Sequence, residues 1–138
     1  MYDRMLEVPR LYAIVPDDGP GHPLLSEMRQ LLSVRYRQAF ERISLSLYRD
    51  GRDSVAWHGD RVARNMPEAI VATVSVGAPR RFLLRPKGGG QSIALSLGHG
   101  DLVIMGGSCQ RTWQHAVPKV SQAPPRIAIM FRPRWADY

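Results

Sequence analysis

The sequence predicts a mainly β domain, a sandwich or barrel of short strands with one helix before them. Three observations predict it. β-prone runs recur from Ile43 to Phe131, the first alternates apolar and polar residues, and the separators between runs carry Gly, Pro, Asp or Ser. Frequent turns between short strands favour a sandwich or barrel over a parallel α/β sheet, whose strands need long crossovers between them.

Residues 1–22 read as irregular, because turn formers are frequent and the segment closes on Pro16-Asp17-Asp18-Gly19-Pro20-Gly21-His22. Met5, Leu6, Leu11 and Tyr12 are still able to pack onto the domain, and His22 reads as a surface loop residue. Pro23 to Ser33 reads as the one convincing helix. Leu24, Met28, Leu31 and Leu32 recur at helical spacing, forming a stripe suited to cover a sheet, and Pro23 fits a first-turn position.

The pattern then becomes period-two. Ile43, Leu45 and Leu47 alternate with Ser44, Ser46 and Tyr48, which puts Ser46 and Tyr48 together on a polar, cavity-facing side. Asp50-Gly51 supplies a turn, and a short β-prone run follows at Ser54-Val55-Ala56-Trp57. Further strands are expected over Ile70–Val76, Arg81–Arg85, Ile93–Leu97, Leu102–Met105, Trp113–Val117 and Ile127–Phe131. Gly88-Gly89-Gly90 lacks the Gly-Lys-Ser/Thr ending of a phosphate loop and precedes a strand pattern, so it reads as a hairpin connection.

A length of 138 residues argues for a single domain over 1–138, and 44% apolar residues can build one core. No apolar stretch approaches the roughly 20 residues that span a bilayer. The start lacks the plan of a secretory signal, and the lone Cys109 excludes an internal disulfide, which suits a reducing cytoplasm. Cys109 itself reads as a small apolar packing residue. The net charge of +7 and pI near 10.3 come almost wholly from arginine and favour polyanionic partners.

The chemistry lies in His58, Asp60 and His115. Two imidazoles and a carboxylate on one side of an iron ion leave three positions open, the arrangement of non-haem Fe(II) oxygenases. His-Gly-Asp occurs twice, at 58–60 and at 99–101. The second copy is flanked by glycine between apolar runs and reads as a tight turn. The first follows a β-prone run and presents His58 and Asp60 from one side of a strand by alternation. Trp113, two residues before His115, reads as core. Arg126 and Arg132 have an even separation on one strand, so both should point the same way, with guanidinium groups suited to a dicarboxylate.

Four segments together resemble the AlkB-type Fe(II)/2-oxoglutarate-dependent dioxygenases. They are Leu47 to Asp60, similar to Y-x-D-G-x-D-x-x-x-x-H-x-D; His99 to Met105; Trp113 to Pro118, similar to H-x-[VIL]-P; and Pro125 to Arg132, similar to R-x-N-x-T-F-R. The resemblance implies a double-stranded β-helix, or jelly-roll, core with the helix packed against the sheet. It implies His58, Asp60 and His115 as Fe(II) ligands. It also implies Tyr48 and Arg126 at the distal carboxylate of 2-oxoglutarate and Arg132 near the carboxylate at the metal. O2 would be the other cosubstrate. The implied reaction demethylates a nucleobase of DNA or RNA, releasing formaldehyde, succinate and CO2.

The match departs from the family at Ser46, Ala128 and Met130, which stand where asparagine, asparagine and threonine are usual, and at Val62, where base-repairing members carry an acidic residue. Against the family, the resemblance implies a short or incomplete amino-terminal lid. Two alternatives stay open: the same oxygenase chemistry on another substrate, and a non-catalytic basic β-domain that binds nucleic acid. The expected partner is single-stranded nucleic acid bound by a monomer through Arg49, Arg52, Arg61, Arg64, Arg80 and Arg81, with no role at a membrane.

Overall fold

The computed structural model describes residues 10–15, 22–60 and 68–134. Two antiparallel sheets face each other. The larger holds β1 (Arg10–Val15), β2 (Arg42–Tyr48), β9 (Arg126–Arg132), β4 (Val71–Gly77) and β7 (Leu102–Met105), side by side in that order. The smaller holds β3 (Val55–His58), β8 (Trp113–Val117), β5 (Arg80–Pro86) and β6 (Ile93–Leu97). The predicted mainly β sandwich is therefore present, and it has the double-sheet layout of a jelly roll.

Period-two alternation sorts the residues into two cores. Phe40, Ile43, Ala72, Ile129 and Phe131 pack on the outer face of the larger sheet. There they meet α1 (Pro23–Tyr36), which contributes Leu25, Met28, Leu32 and Tyr36. Tyr48, Val71, Phe82, Met105, Val117 and Ala128 fill the space between the sheets. On β9 the odd-numbered residues serve the outer core, and the even-numbered ones, from Arg126 to Arg132, face the cavity between sheets.

Three expectations are corrected. Residues 1–22 are not irregular throughout, because β1 pairs antiparallel with β2 from Arg10↔Leu47 to Val15↔Ile43. The flanking turn formers outweighed a short β-prone run whose pairing is decided by the open edge of β2. The stripe on α1 is also rotated from the one read in the sequence. Leu24 and Leu31 are 48% and 64% exposed, and Leu25 takes their place beside Met28 and Leu32. Leucines three and four apart mark several overlapping faces, and docking selects one. Finally, a second, short helix, α2 (Cys109–Thr112), stands between two of the expected strands, where the sequence predicts no helix.

The start of α1 follows local chemistry. His22 is exposed, and its Nδ1 accepts the Leu24 N–H at 3.1 Å, capping the helix, with Pro23 in the first turn. Gly88 to Gly90 join β5 to β6 as a hairpin, with Gly89 and Gly90 at φ of 101° and 127°. No helix among the described residues is long and apolar enough to cross a membrane.

Candidate metal centre

β3 and β8 are neighbours in the smaller sheet, and His58 and His115 are directly paired in their register. The two rings lie 4.2 Å apart between centroids, tilted by 56°. Asp60 is placed differently from the sequence expectation. β3 ends at His58, so strand alternation does not carry Asp60 to the site. Its backbone is held instead by α2: the Asp60 N–H donates to Gln110 Oε1 at 2.7 Å, and its carbonyl accepts from Arg111 Nη1 at 3.3 Å.

The result is a compact donor set. Asp60 Oδ1 lies 3.5 Å from His58 Nε2 and 3.5 Å from His115 Nε2. One donor atom from each of the three residues falls within 4.8 Å of the others. His58 Nδ1 is 2.7 Å from the Ala56 carbonyl, which can only accept, so Nδ1 carries a proton and Nε2 is the nitrogen that faces Asp60. Phe82 stacks on the His115 ring at 5.5 Å and fixes its plane.

Charge at the site suits a cation. Burial pushes the Asp60 carboxyl up, but hydrogen bonds from His115 and His58 and the charge of Arg132 outweigh it, holding it well below the usual carboxylate range. Burial pulls His115 down. Burial pulls His58 down as well, but its bonds to Asp60 and Ala56 outweigh this and leave it raised. Ionised carboxylate and neutral imidazole are the states that a metal binds; the shifts of Asp60 and His115 favour them, whereas an ion would compete with a proton at His58. Cis ligands around an ion with bonds of about 2.1 Å lie about 3 Å apart, so the two 3.5 Å separations from Asp60 need only a small contraction.

One cavity, ≈ 190 Å³, is lined by these three residues together with Tyr48, Arg126 and Arg132. Arg132 Nε donates to Asp60 Oδ2 at 2.7 Å, and Arg132 Nη1 donates to Ser44 Oγ at 2.9 Å. Arg126 is buried at 2% exposure. Its Nη2 donates to Ser75 Oγ at 2.8 Å, and its guanidinium lies 4.8 Å from the centre of the Tyr48 ring. Among the described residues no carboxylate pairs with Arg126, and its buried Nε has no partner. Burial raises the Tyr48 phenol and lowers Arg126 from their ordinary values. A buried cation with an orphan donor, facing a cavity, fits a small anionic ligand.

Comparison with known proteins agrees with this geometry. The family model for the 2OG-Fe(II) oxygenase superfamily matches residues 15–132. The chain belongs to this superfamily, on its AlkB-type branch. It is 33% identical to human alpha-ketoglutarate-dependent dioxygenase alkB homolog 3 over 95% of the chain and 50% of that protein. It is 31% identical to human DNA oxidative demethylase ALKBH2, over 82% of the chain and 47% of that protein. The solved structure of OsALKBH1 superposes with a TM-score of 0.60 at 18% identity, covering 84% of this chain and 66% of that one, which supports the fold. The chain spans about half the length of the curated relatives it matches. Fe(II), 2-oxoglutarate and O2 are the cofactor and cosubstrates that this superfamily implies, and the donor set and the arginine-floored cavity fit them.

Within this AlkB-type domain the remaining expected residues divide. His99 and Asp101 are apart from the metal centre: Asp101 Oδ2 accepts the Gly98 N–H at 2.7 Å, His99 Nδ1 accepts the Gly77 N–H at 3.0 Å, and Gly100 has φ of 84°. They build the tight turn expected. Ser46, Ala128 and Met130 line the cavity, and Met130 Sδ accepts from Arg132 Nη2 at 3.3 Å. Trp113 is half-buried against a second, polar recess with Gly59, Lys87 and Gln110, so the core reading is only partly met. Cys109 is half-buried against the inner core, and burial pushes its thiol up.

Of the arginines expected at a nucleic-acid face, Arg80 is turned inward, and Arg49 and Arg52 are exposed but ion-paired to Asp53 and Asp50. Arg80 is buried at 2% exposure and donates to the carbonyls of Asp50, Asp53 and Pro118. Arg49 forms a two-pronged bond to Asp53, with Nε and Nη2 each at 2.8 Å from a carboxylate oxygen. Nearness in sequence to the metal motif does not reveal which way an arginine side chain points. Arg52 and Arg81 are exposed. Arg61, Arg64 and Val62 lie outside the described residues. Sequence reading missed Gln110 and Ser75 as parts of the site. Ser44 was visible in principle, sharing the alternating face of Ser46 and Tyr48.

Proposed function

We propose that this chain is a Fe(II)/2-oxoglutarate-dependent dioxygenase that oxidatively demethylates nucleobases, on single-stranded DNA or RNA and as a monomer. The observation that carries the reading is one cavity lined both by His58, Asp60 and His115 and by Arg126, a buried cation with no carboxylate partner among the described residues. The names of the relatives, DNA oxidative demethylase and alpha-ketoglutarate-dependent dioxygenase, support the substrate and cosubstrate.

Each residue has a physical task. His58, Asp60 and His115 would hold iron; when bound, iron with 2-oxoglutarate supplies the oxidation of an N-methyl group by dioxygen. Arg126, backed by Ser75 and Tyr48, would grip the distal carboxylate of 2-oxoglutarate and compensate its charge in a buried place. Arg132 keeps Asp60 Oδ2 occupied, which leaves Oδ1 facing the imidazoles. Its charge also favours a second carboxylate beside the metal. Val55, Val71, Phe82, Met105 and Val117 give the cavity dry walls. With serine, alanine and methionine at Ser46, Ala128 and Met130, polar groups usual in the family are missing, so cosubstrate binding is weaker than in a site that keeps them.

Basic charge draws the phosphate backbone to the exposed surface, with Arg52 and Arg81 among its described contributors. Purified protein with Fe(II) and 2-oxoglutarate should form succinate, and an oligonucleotide carrying 1-methyladenine or 3-methylcytosine should stimulate it and lose its methyl group. Succinate formation without any response to oligonucleotides would move the substrate outside nucleic acid. The burial of Arg80 is the observation that favours that second reading.

A further inference from the structure

We propose that Gln110 is a positioning residue of the metal centre, holding Asp60 where strand pairing no longer reaches. The inference rests on the metal reading above. β3 stops at His58, so Asp60 lacks a ladder partner, yet it must bring Oδ1 midway between two imidazoles. Gln110 Oε1 supplies the missing acceptor at 2.7 Å. An N–H can only donate, so the orientation of the amide is fixed, and its Nε2 turns to Met105 Sδ at 3.5 Å.

Gln110 is 6% exposed, and its own backbone also touches the motif. A Cβ placed on Gly59 would sit 2.7 Å from the Gln110 carbonyl oxygen, so the glycine between His58 and Asp60 is what permits the close approach. Three residues after Gln110, β8 begins its run to His115. One four-residue helix therefore ties the backbone of one ligand to the strand that carries another. Partners that orient metal ligands without touching the ion commonly change metal affinity about 10–100-fold.

The test is Co(II) binding to the metal-free full chain, followed by d–d absorption, alongside its thermal unfolding. Gln110→Met keeps the volume and removes the acceptor; it should weaken Co(II) by about tenfold or more while the metal-free protein unfolds near the parent temperature. Gln110→Glu retains an acceptor and should restore most of the affinity. Parent-like Co(II) binding by Gln110→Met overturns the inference, as does a loss that Gln110→Glu fails to rescue or that merely tracks unfolding. A parent chain that binds no Co(II) overturns the metal reading itself, and this inference with it.

Discussion

Arg132 on the larger sheet donates its Nε to Asp60 Oδ2, 2.7 Å away on the chain leaving the smaller sheet. This ion pair links the two layers beside the cavity and leaves Oδ1 for the two histidines. Its partners are nearly enclosed, with side-chain exposures of 19% and 6%, so solvent screens it little.

Replacing Arg132 by Lys keeps the charge but loses the fork that reaches Asp60 and Ser44 together. We expect metal affinity to fall by about tenfold, since the ligand loses its orienting partner. Co(II) titration of the metal-free protein checks this, and an unchanged affinity rules out the orienting role.

Arg126→Ala should raise the 2-oxoglutarate requirement by about 100-fold, corresponding to the about 2–5 kcal/mol carried by a buried charge-assisted contact. Folding should suffer less, because among the described residues Arg126 has no carboxylate partner to strand. Succinate formation across a 2-oxoglutarate series, with unfolding curves beside it, measures both quantities. A KM equal to the parent's would end the cosubstrate assignment.

The duplicated motif gives a clean contrast. Asp60→Ala should abolish specific metal binding, whereas Asp101→Ala should leave it intact and cost about 1 kcal/mol for the broken bond to the Gly98 N–H. Equilibrium unfolding and metal titration of the two variants decide between the copies. Metal loss in the Asp101 variant would reverse the assignment.

Asp53 sets an acid limit on the loop before β3. Hydrogen bonds from Arg49 lower its carboxyl to about 2, below the ordinary carboxylate value of 3.8. Because the folded pKa is depressed, the contribution is complete above about pH 4 and fades as pH falls through about 2. Asp53→Asn should therefore lose about 1–2 kcal/mol near neutrality, with the gap to the parent closing between about pH 4 and 2. Urea unfolding at stepped pH tests it, and a gap independent of pH in that window would count against the ion pair.

Oligonucleotide affinity should fall steeply with salt. Replacing Arg52 or Arg81 by Ala should shallow that slope by up to about one unit for each phosphate the side chain neutralises. Arg80→Ala should instead lower stability by severing three carbonyl bonds. Salt titrations of binding, paired with unfolding, separate the two classes. Equal slopes for all variants would remove these arginines from the interface.

Local chemistry was legible in the chain. The alternation of Ile43 to Tyr48 fixed which side of β2 faces the cavity, and the even spacing of Arg126 and Arg132 fixed that they point together. Turn chemistry separated the two His-Gly-Asp copies, because glycine and aspartate around residue 99 satisfy their own backbone. The pairing of β1 with β2, the face of α1 that docks, and the direction of Arg49 and Arg80 were not legible. Each depends on which surface a distant element offers. Asp60 shows the division most sharply. Residue order alone establishes that a carboxylate follows His58 at a ligand-like spacing. Its route to the site is set by folding, because the strand ends at His58 and the next hydrogen bond comes from Gln110, fifty residues further along the chain.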